Sequence, residues 1–258
     1  MSTEKKAETS LHCIIEEKFF YFGIINSDQQ FVSSDCLEMD NGSDFFKNPY
    51  LLVAYIKESL SAFQITQLNI GIINQDFALL PQGVNRSSAA AWIASKPSVD
   101  SELYIDELDH VTVAYYAPQA LVSVLKKTYE SYTLHHIVSI NVKNNDGKSG
   151  VFSYKINGFQ LIQVNNDQGR LEYSNIFKSR SVNSRLYYSL LPYHMHDLDR
   201  ERATLYLNDH NEGCVLQVKL SQYVRNIEYI EKGMTLSQDT ELTEDRIYQL
   251  SNLASCVS

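Results

Sequence analysis

Proline and glycine are scarce. Five prolines and ten glycines among 258 residues exclude collagen-like and low-complexity chains. No apolar run approaches the roughly 20 residues of a membrane helix. The opening MSTEKKAETS leads into LHCII, which Glu16 and Glu17 interrupt. A secretory signal needs an apolar stretch of roughly 7–15 residues there. Cysteines are few and scattered: Cys13, Cys36, Cys214 and Cys256 form no C-x-x-C pair. Neither a disulfide framework nor a zinc site is expected from that spacing, and cytoplasmic residence follows by exclusion. Basic residues are in deficit, 22 against 31 acidic, for a net charge of −9. Nucleic acid and acidic membranes are therefore not expected partners. What the chain does have is 44% hydrophobic and 11% aromatic residues, enough for one large core or two lobes.

Two blocks repeat one order of elements. In the first, LHCII (11–15) and FFYFGII (19–25) read as strands joined by a short turn, and QQFVSSDC (29–36) as a third. Within 50–63, Leu52, Val53, Ile56, Leu60 and Phe63 recur at helical spacing. LNIGII (68–73) and FALLP (77–81) read as strands, 86–95 as a small helix bearing Trp92, and HVTVAYY (110–116) as a strong strand. Pro118 then opens a helix with Leu121, Val124, Leu125 and Tyr129 on one side. The segment YTLHHIVSINVKNNDGKSG fits either a strand and a short helix or one longer strand.

The second block is cleaner. VFSYKI (151–156) and FQLIQV (159–164) flank Asn157-Gly158, a strong hairpin signal. RLEYSN (170–175) makes a third strand. A helix follows with Val182, Leu186 and Leu190 aligned, ending near Pro192. ATLYLN (203–208) is a strand, and 213–226 an amphipathic helix with Leu216, Leu220 and Tyr223 on one face. NIEYI (226–230) is a last strand. Residues 231–258 form a polar tail whose end offers a short helix bearing Ile247, Leu250 and Leu253, expected to pack on the body.

Three strands followed by helix, strand, helix, strand is the ribonuclease-H-like plan. Two such units give an α/β, two-lobed, actin-like arrangement of mixed sheets flanked by helices. The expected division is a leader (1–10), a first lobe (11–143), a second lobe (144–230) and the tail. In addition, FALLPQGV, HVTVAYYAPQALVSVLKK, RLEYSNIFKSRSVNSRLYYSLL and ATLYLND resemble an uncharacterised bacterial family, typical of Bacteroides-type bacteria. The resemblance covers roughly 11–230, implies an actin-like ATPase fold, and carries no established activity.

An actin-like ATPase needs acid and glycine in both hairpins and a glycine pair after a later strand, so that backbone can approach the nucleotide. Here the first hairpin holds Glu16, Glu17 and Lys18 with no glycine. In the second, Asn157 replaces the acid and bulky Phe159 follows Gly158. After ATLYL come Asn208, Asp209, His210, Asn211 and Glu212, with Gly213 alone remaining. Neither a G-x-x-x-x-G-K-[ST] nor a G-x-G-x-x-G run occurs. All three parts are damaged, so no catalytic, cofactor-binding or metal-binding residue is assigned. The expectation is a degenerate, non-catalytic scaffold that binds a protein partner or itself. Its rival is an atypical nucleotide-binding or hydrolysing protein with Asn157, Gly158, Asn208 and Asp209 near the cleft. A cleft filled by side chains would decide against the rival.

Other constellations are weaker. A metal nuclease would need Glu16 or Glu17, Glu58 and Asp76 to converge, whereas Glu58 reads as solvated. His135 and His136 point to opposite faces of a strand and do not share a metal. His194 and His196, near Asp197 and Asp199, follow a helix end where histidine meets the helix dipole. Cys13 fills core. Tyr115-Tyr116 and Tyr187-Tyr188 read as core-margin packing, with a protein-binding surface as the sharper alternative.

Overall fold

Short, nearly continuous apolar runs become strands, and apolar residues at helical spacing become helices. The computed structural model describes residues 8–28, 30–39, 44–59, 63–93, 100–145, 147–208, 213–230 and 242–257. In chain order the first elements are β1 (Glu8–Ile15), β2 (Phe19–Asn26), β3 (Phe31–Glu38), α1 (Pro49–Ser59) and β4 (Gln64–Ile72). Next come β5 (Phe77–Leu80), α2 (Arg86–Trp92), β6 (Ser101–Glu107), β7 (Thr112–Pro118), α3 (Gln119–Thr128), β8 (Tyr132–His136) and α4 (Ile137–Asn144). The remainder are β9 (Gly150–Ile156), β10 (Phe159–Asn165), β11 (Leu171–Lys178), α5 (Val182–Met195), β12 (Leu205–Leu207), α6 (Gly213–Leu220), β13 (Ile227–Tyr229) and α7 (Glu244–Val257).

The same topology occurs twice. One sheet has the order β3-β2-β1-β4-β8 and the other β11-β10-β9-β12-β13. In each, an antiparallel meander is extended by strands parallel to its first member. The central strands are buried on both faces, and the few polar side chains they carry, among them His12, Asn69, Gln160 and Gln163, are buried with them. Along β1, Leu11, Cys13 and Ile15 pack with Leu52 of α1 and Leu121 of α3, while Ile14 faces the core that holds α4 and α7. In the second sheet, Val151, Ile162 and Val164 meet Tyr193 of α5 and Leu216 of α6. Phe152, Tyr154 and Ile156 turn the other way, into the core shared with the first sheet.

Several expectations change. HVTVAYY is a strand as read, and β7 is the middle strand of a separate sheet, β5-β7-β6. Its antiparallel partner β6, the acid-containing SELYIDE, carries no obvious strand signal. The fifth strand of the first sheet is β8, and the ambiguous segment resolves into that strand followed by α4. Helix α5 continues through Pro192 to Met195. The α6 helix stops at Leu220, leaving Tyr223 exposed while Val224 takes the buried position. The terminal helix does dock on the body, with Leu250 and Leu253 fully buried. Beside these leucines runs a polar seam to α4. Asn141 Nδ2 donates to Gln249 Oε1 at 3.1 Å, and Asn252 Nδ2 donates to Asn141 Oδ1 at 2.9 Å. No helix among the described residues is long and apolar enough to cross a membrane.

Candidate functional site

The two hairpin turns meet. The β1–β2 turn is closed by Glu16 N–H donating to Phe19 O at 2.9 Å. In the β9–β10 turn, Ile156 pairs with Phe159. Asn157, rather than Gly158, adopts the left-handed conformation, with φ at 51°, a region asparagine tolerates well. Between the turns lies a cleft of about 260 Å³ lined by Glu16, Glu17, Lys18, Phe19, Gly158, Phe159, Lys178 and Arg180.

Side chains tie the turns together at the base of this cleft. Glu16 is buried, 2% exposed, and its Oε1 accepts from Asn157 Nδ2. The first turn of α7 completes the arrangement. Arg246 Nε donates to Asn157 Oδ1 at 2.9 Å, and Asn157 N–H donates to Asp245 Oδ2 at 3.3 Å. The Arg246 guanidinium sits over the rings of Phe19 and Tyr21, at 5.1 and 5.7 Å from their centroids, a favourable cation–π geometry. Burial pushes the Glu16 carboxyl up to about 8, reinforced by Asp245 and Glu17, and the Asn157 hydrogen bond and Arg246 only partly offset this. Near neutral pH Glu16 is therefore a neutral acid. Hydrated magnesium favours ionised carboxylates, and a carboxyl held protonated by burial is a poor ligand for it.

Asn208 is engaged elsewhere. Its Oδ1 accepts from Lys155 N–H at 2.7 Å and its Nδ2 donates to Lys155 O at 3.1 Å. The side chain thus mimics one more rung of the β9–β12 ladder, and both ends of the amide are used. Asp209 lies outside the described residues. With Glu16 neutral, Asn157 clamped between Glu16 and Arg246, and Asn208 committed to the sheet, the described residues do not fit a magnesium–nucleotide.

The other candidates do not converge. Glu17 and Glu58 are exposed, and Asp76 is half-buried in the loop after β4. Among the described residues no group of three or more His, Cys, Asp or Glu is placed to hold a metal ion. His135 Nδ1 lies 3.3 Å from Asp106 Oδ1. Buried His136 caps α4: its Nδ1 accepts from Val138 N–H at 3.3 Å while Nε2 donates to Asn74 O at 3.2 Å. That pattern is the neutral imidazole, and burial holds its pKa down at about 4. His194 contacts the Arg200 guanidinium, and the His196 ring packs against Tyr173. Cys13 is buried core, and burial raises its thiol pKa. Tyr115 is fully buried with its hydroxyl on Leu134 O, Tyr188 stacks on Phe177, and Tyr187 is exposed.

The lobes are also joined by apolar packing. One continuous core includes Ile14 and Tyr21 of the first sheet, Tyr115 of the small sheet, Phe152 and Ile176 of the second, and Leu253 of α7. The segment between β4 and α3 reaches the outer strand of the second sheet. Gln75 Nε2 donates to Ile176 O at 2.7 Å, and Leu171 N–H donates to His110 Nε2 at 2.8 Å. Sequence reasoning missed Arg246 and the pairing of Glu16 with Asn157. The available signal was an acid directly after the apolar run Cys13-Ile14-Ile15, since a carboxyl buried there must find a partner or stay protonated.

Most of the chain aligns with a Bacteroides thetaiotaomicron protein described as having an actin-like ATPase fold and unknown function. The TM-score is 0.74 at 14% identity, over 89% of this chain and 93% of that one. The fold is actin-like. The resemblance to Bacteroides-type proteins read from the sequence is met by this match. Two further solved structures align over nearly the whole chain. One is the PilM–PilN type IV pilus biogenesis complex, with a TM-score of 0.59, 12% identity and 95% and 96% coverage. The other is the cytoplasmic domain of EpsL, an inner-membrane component of the type II secretion system of Vibrio cholerae, with a TM-score of 0.52, 10% identity and 97% and 95% coverage. No protein-family model matches the sequence, and no curated protein does.

Proposed function

We propose that this protein is a non-catalytic, actin-like scaffold that acts in the cytoplasm by binding another protein or a second copy of itself. The division into lobes at 11–143 and 144–230 belongs to the same reading. The observation that carries it is the Glu16–Asn157–Arg246 arrangement, in which side chains bridge the two hairpins at the base of the cleft. Two of the structural neighbours are described as parts of multi-protein assemblies, which supports an assembly role here. The rival, an atypical nucleotide-binding or ATP-hydrolysing protein, draws on Lys18, Lys178 and Arg180 around the remaining cleft.

A thermal-shift titration with ATP, ADP and GTP, with and without magnesium, separates the two. A ligand at 100 times its dissociation constant stabilises the fold by about 2.7 kcal/mol. The scaffold reading expects no shift up to millimolar nucleotide and no phosphate release. A reproducible magnesium-dependent shift would overturn it.

A further inference from the structure

The remaining cleft has a definite chemistry. Lys18, Lys178 and Arg180 line it and are exposed, and none of them has an ion-pair partner among the described residues. This concentration of free cations stands out on a chain of net charge −9. Glu17 is the one exposed anion in the lining. Phe19 and Phe159, one from each hairpin, add half-buried apolar rings.

Glu16 is the buried member of the lining, and its Oε2 has no hydrogen-bond partner among the described residues. Around it stand Glu17 on its own turn, Tyr21 on β2, Cys36 on β3, Asn157 on the facing hairpin, and Asp245 and Arg246 on α7. A buried polar atom left unpaired is costly, and an entering group that pairs with it recovers that cost. As the neutral acid, Glu16 has a hydrogen to donate. The entering group should therefore be an acceptor, negatively charged to suit the three cations, and carried on an apolar stem that can lie against phenyl rings. Small-molecule pockets run to roughly 300–1,000 Å³. At about 260 Å³ this cleft is the size for a side chain and its neighbours rather than a nucleotide.

We propose that the cleft between the hairpins receives a carboxylate side chain, glutamate or aspartate, from an extended segment of a partner protein. The carboxylate meets Lys18, Lys178 and Arg180, one of its oxygens accepts from Glu16, and its methylene stem packs on Phe19 and Phe159. The proposal rests on the scaffold reading and supplies the chemistry of the partner.

The test is fluorescence anisotropy of the full chain with a labelled, end-capped peptide of glutamates around one phenylalanine. The control peptide carries glutamine in place of every glutamate. The glutamate peptide should bind at least about ten-fold more tightly than the control. Lys178→Glu with Arg180→Glu should weaken it by about ten-fold or more, since two attractive contacts become repulsive. Both residues are exposed, so the melting temperature of that variant should match the wild type. Lys126→Glu, which alters a cation paired with Glu102 outside the cleft, should bind normally. Equal binding of the two peptides, undiminished binding by the double variant, or no binding at millimolar peptide would each overturn the proposal. Should these fail while nucleotides also produce no thermal shift, only the partner's chemistry falls and the scaffold reading stands. Should magnesium–ATP both stabilise the protein and displace the peptide, both readings fall.

Discussion

Replacing Glu16 by glutamine should stabilise this protein, and increasingly so as the pH rises. Burial raises the carboxyl from 4.5 to about 8 in the folded chain, whereas in the unfolded chain it ionises near its ordinary value. Below pH 4.5 both states hold the proton and the group has no pH-dependent cost. Between 4.5 and 8 the unfolded state releases a proton that the folded state keeps, so stability falls as pH rises. At about 1.4 kcal/mol per unit, the loss is about 3 kcal/mol by pH 7 and on the order of 4–5 kcal/mol above pH 8. Glutamine preserves the shape and an oxygen to accept from Asn157, but it has nothing to ionise. Urea denaturation of wild type and Glu16→Gln at pH 5, 6, 7 and 8 gives the comparison directly. The difference between the two proteins should be small at pH 5 and favour the variant by several kcal/mol at pH 8. Using the difference removes the opposing titration of buried histidines. A variant less stable than wild type at pH 8 would mean that Glu16 is ionised and paired with Arg246, and the argument for a neutral acid would be wrong.

Three further outcomes are expected. His12 and His136 are held by burial at about 4, so the folded state resists protons that the unfolded state takes up below about 6.5. Their contribution is present above that value and is lost as pH falls toward 4, and in the Glu16→Gln background the melting temperature should drop between pH 7 and pH 4.5. Arg246→Ala removes the hydrogen bond to Asn157 and the contacts over Phe19 and Tyr21. It should cost about 1–2 kcal/mol in urea unfolding, and a cost near zero would mean that α7 does not clamp the hairpins. Leu250→Ala in α7 empties a fully buried position, for which about 2–5 kcal/mol is expected. A loss below 1 kcal/mol by the same measurement would show that α7 is only loosely docked.

Much of this architecture was legible in the residues themselves. The turn at Asn157-Gly158, the runs that became β1, β2, β9 and β10, and the order of elements in the second block all follow from local periodicity and turn chemistry. The damaged hairpins were legible too, because an absent glycine is visible without a structure. That β7 joins a separate sheet was not legible, because an apolar strand looks the same in any sheet and its partner β6 has too many acids to stand out. Extending α6 to Asn226 failed because helical spacing ran on past the last turn that packing supports.

What the sequence alone determined is therefore the set of elements, the duplicated order and the absence of glycine from the first hairpin turn. These are properties of neighbouring residues, set by backbone conformation and by side-chain alternation over a few positions. The tertiary structure decided which sheet each strand joins, that α7 returns to lie against both five-stranded sheets, and that Glu16 meets Asn157 and Arg246. Those residues are far apart along the chain, and hydrogen bonds and proton affinity depend on distance and burial in space. A glutamate between two strands reads as a surface charge until the fold removes its water.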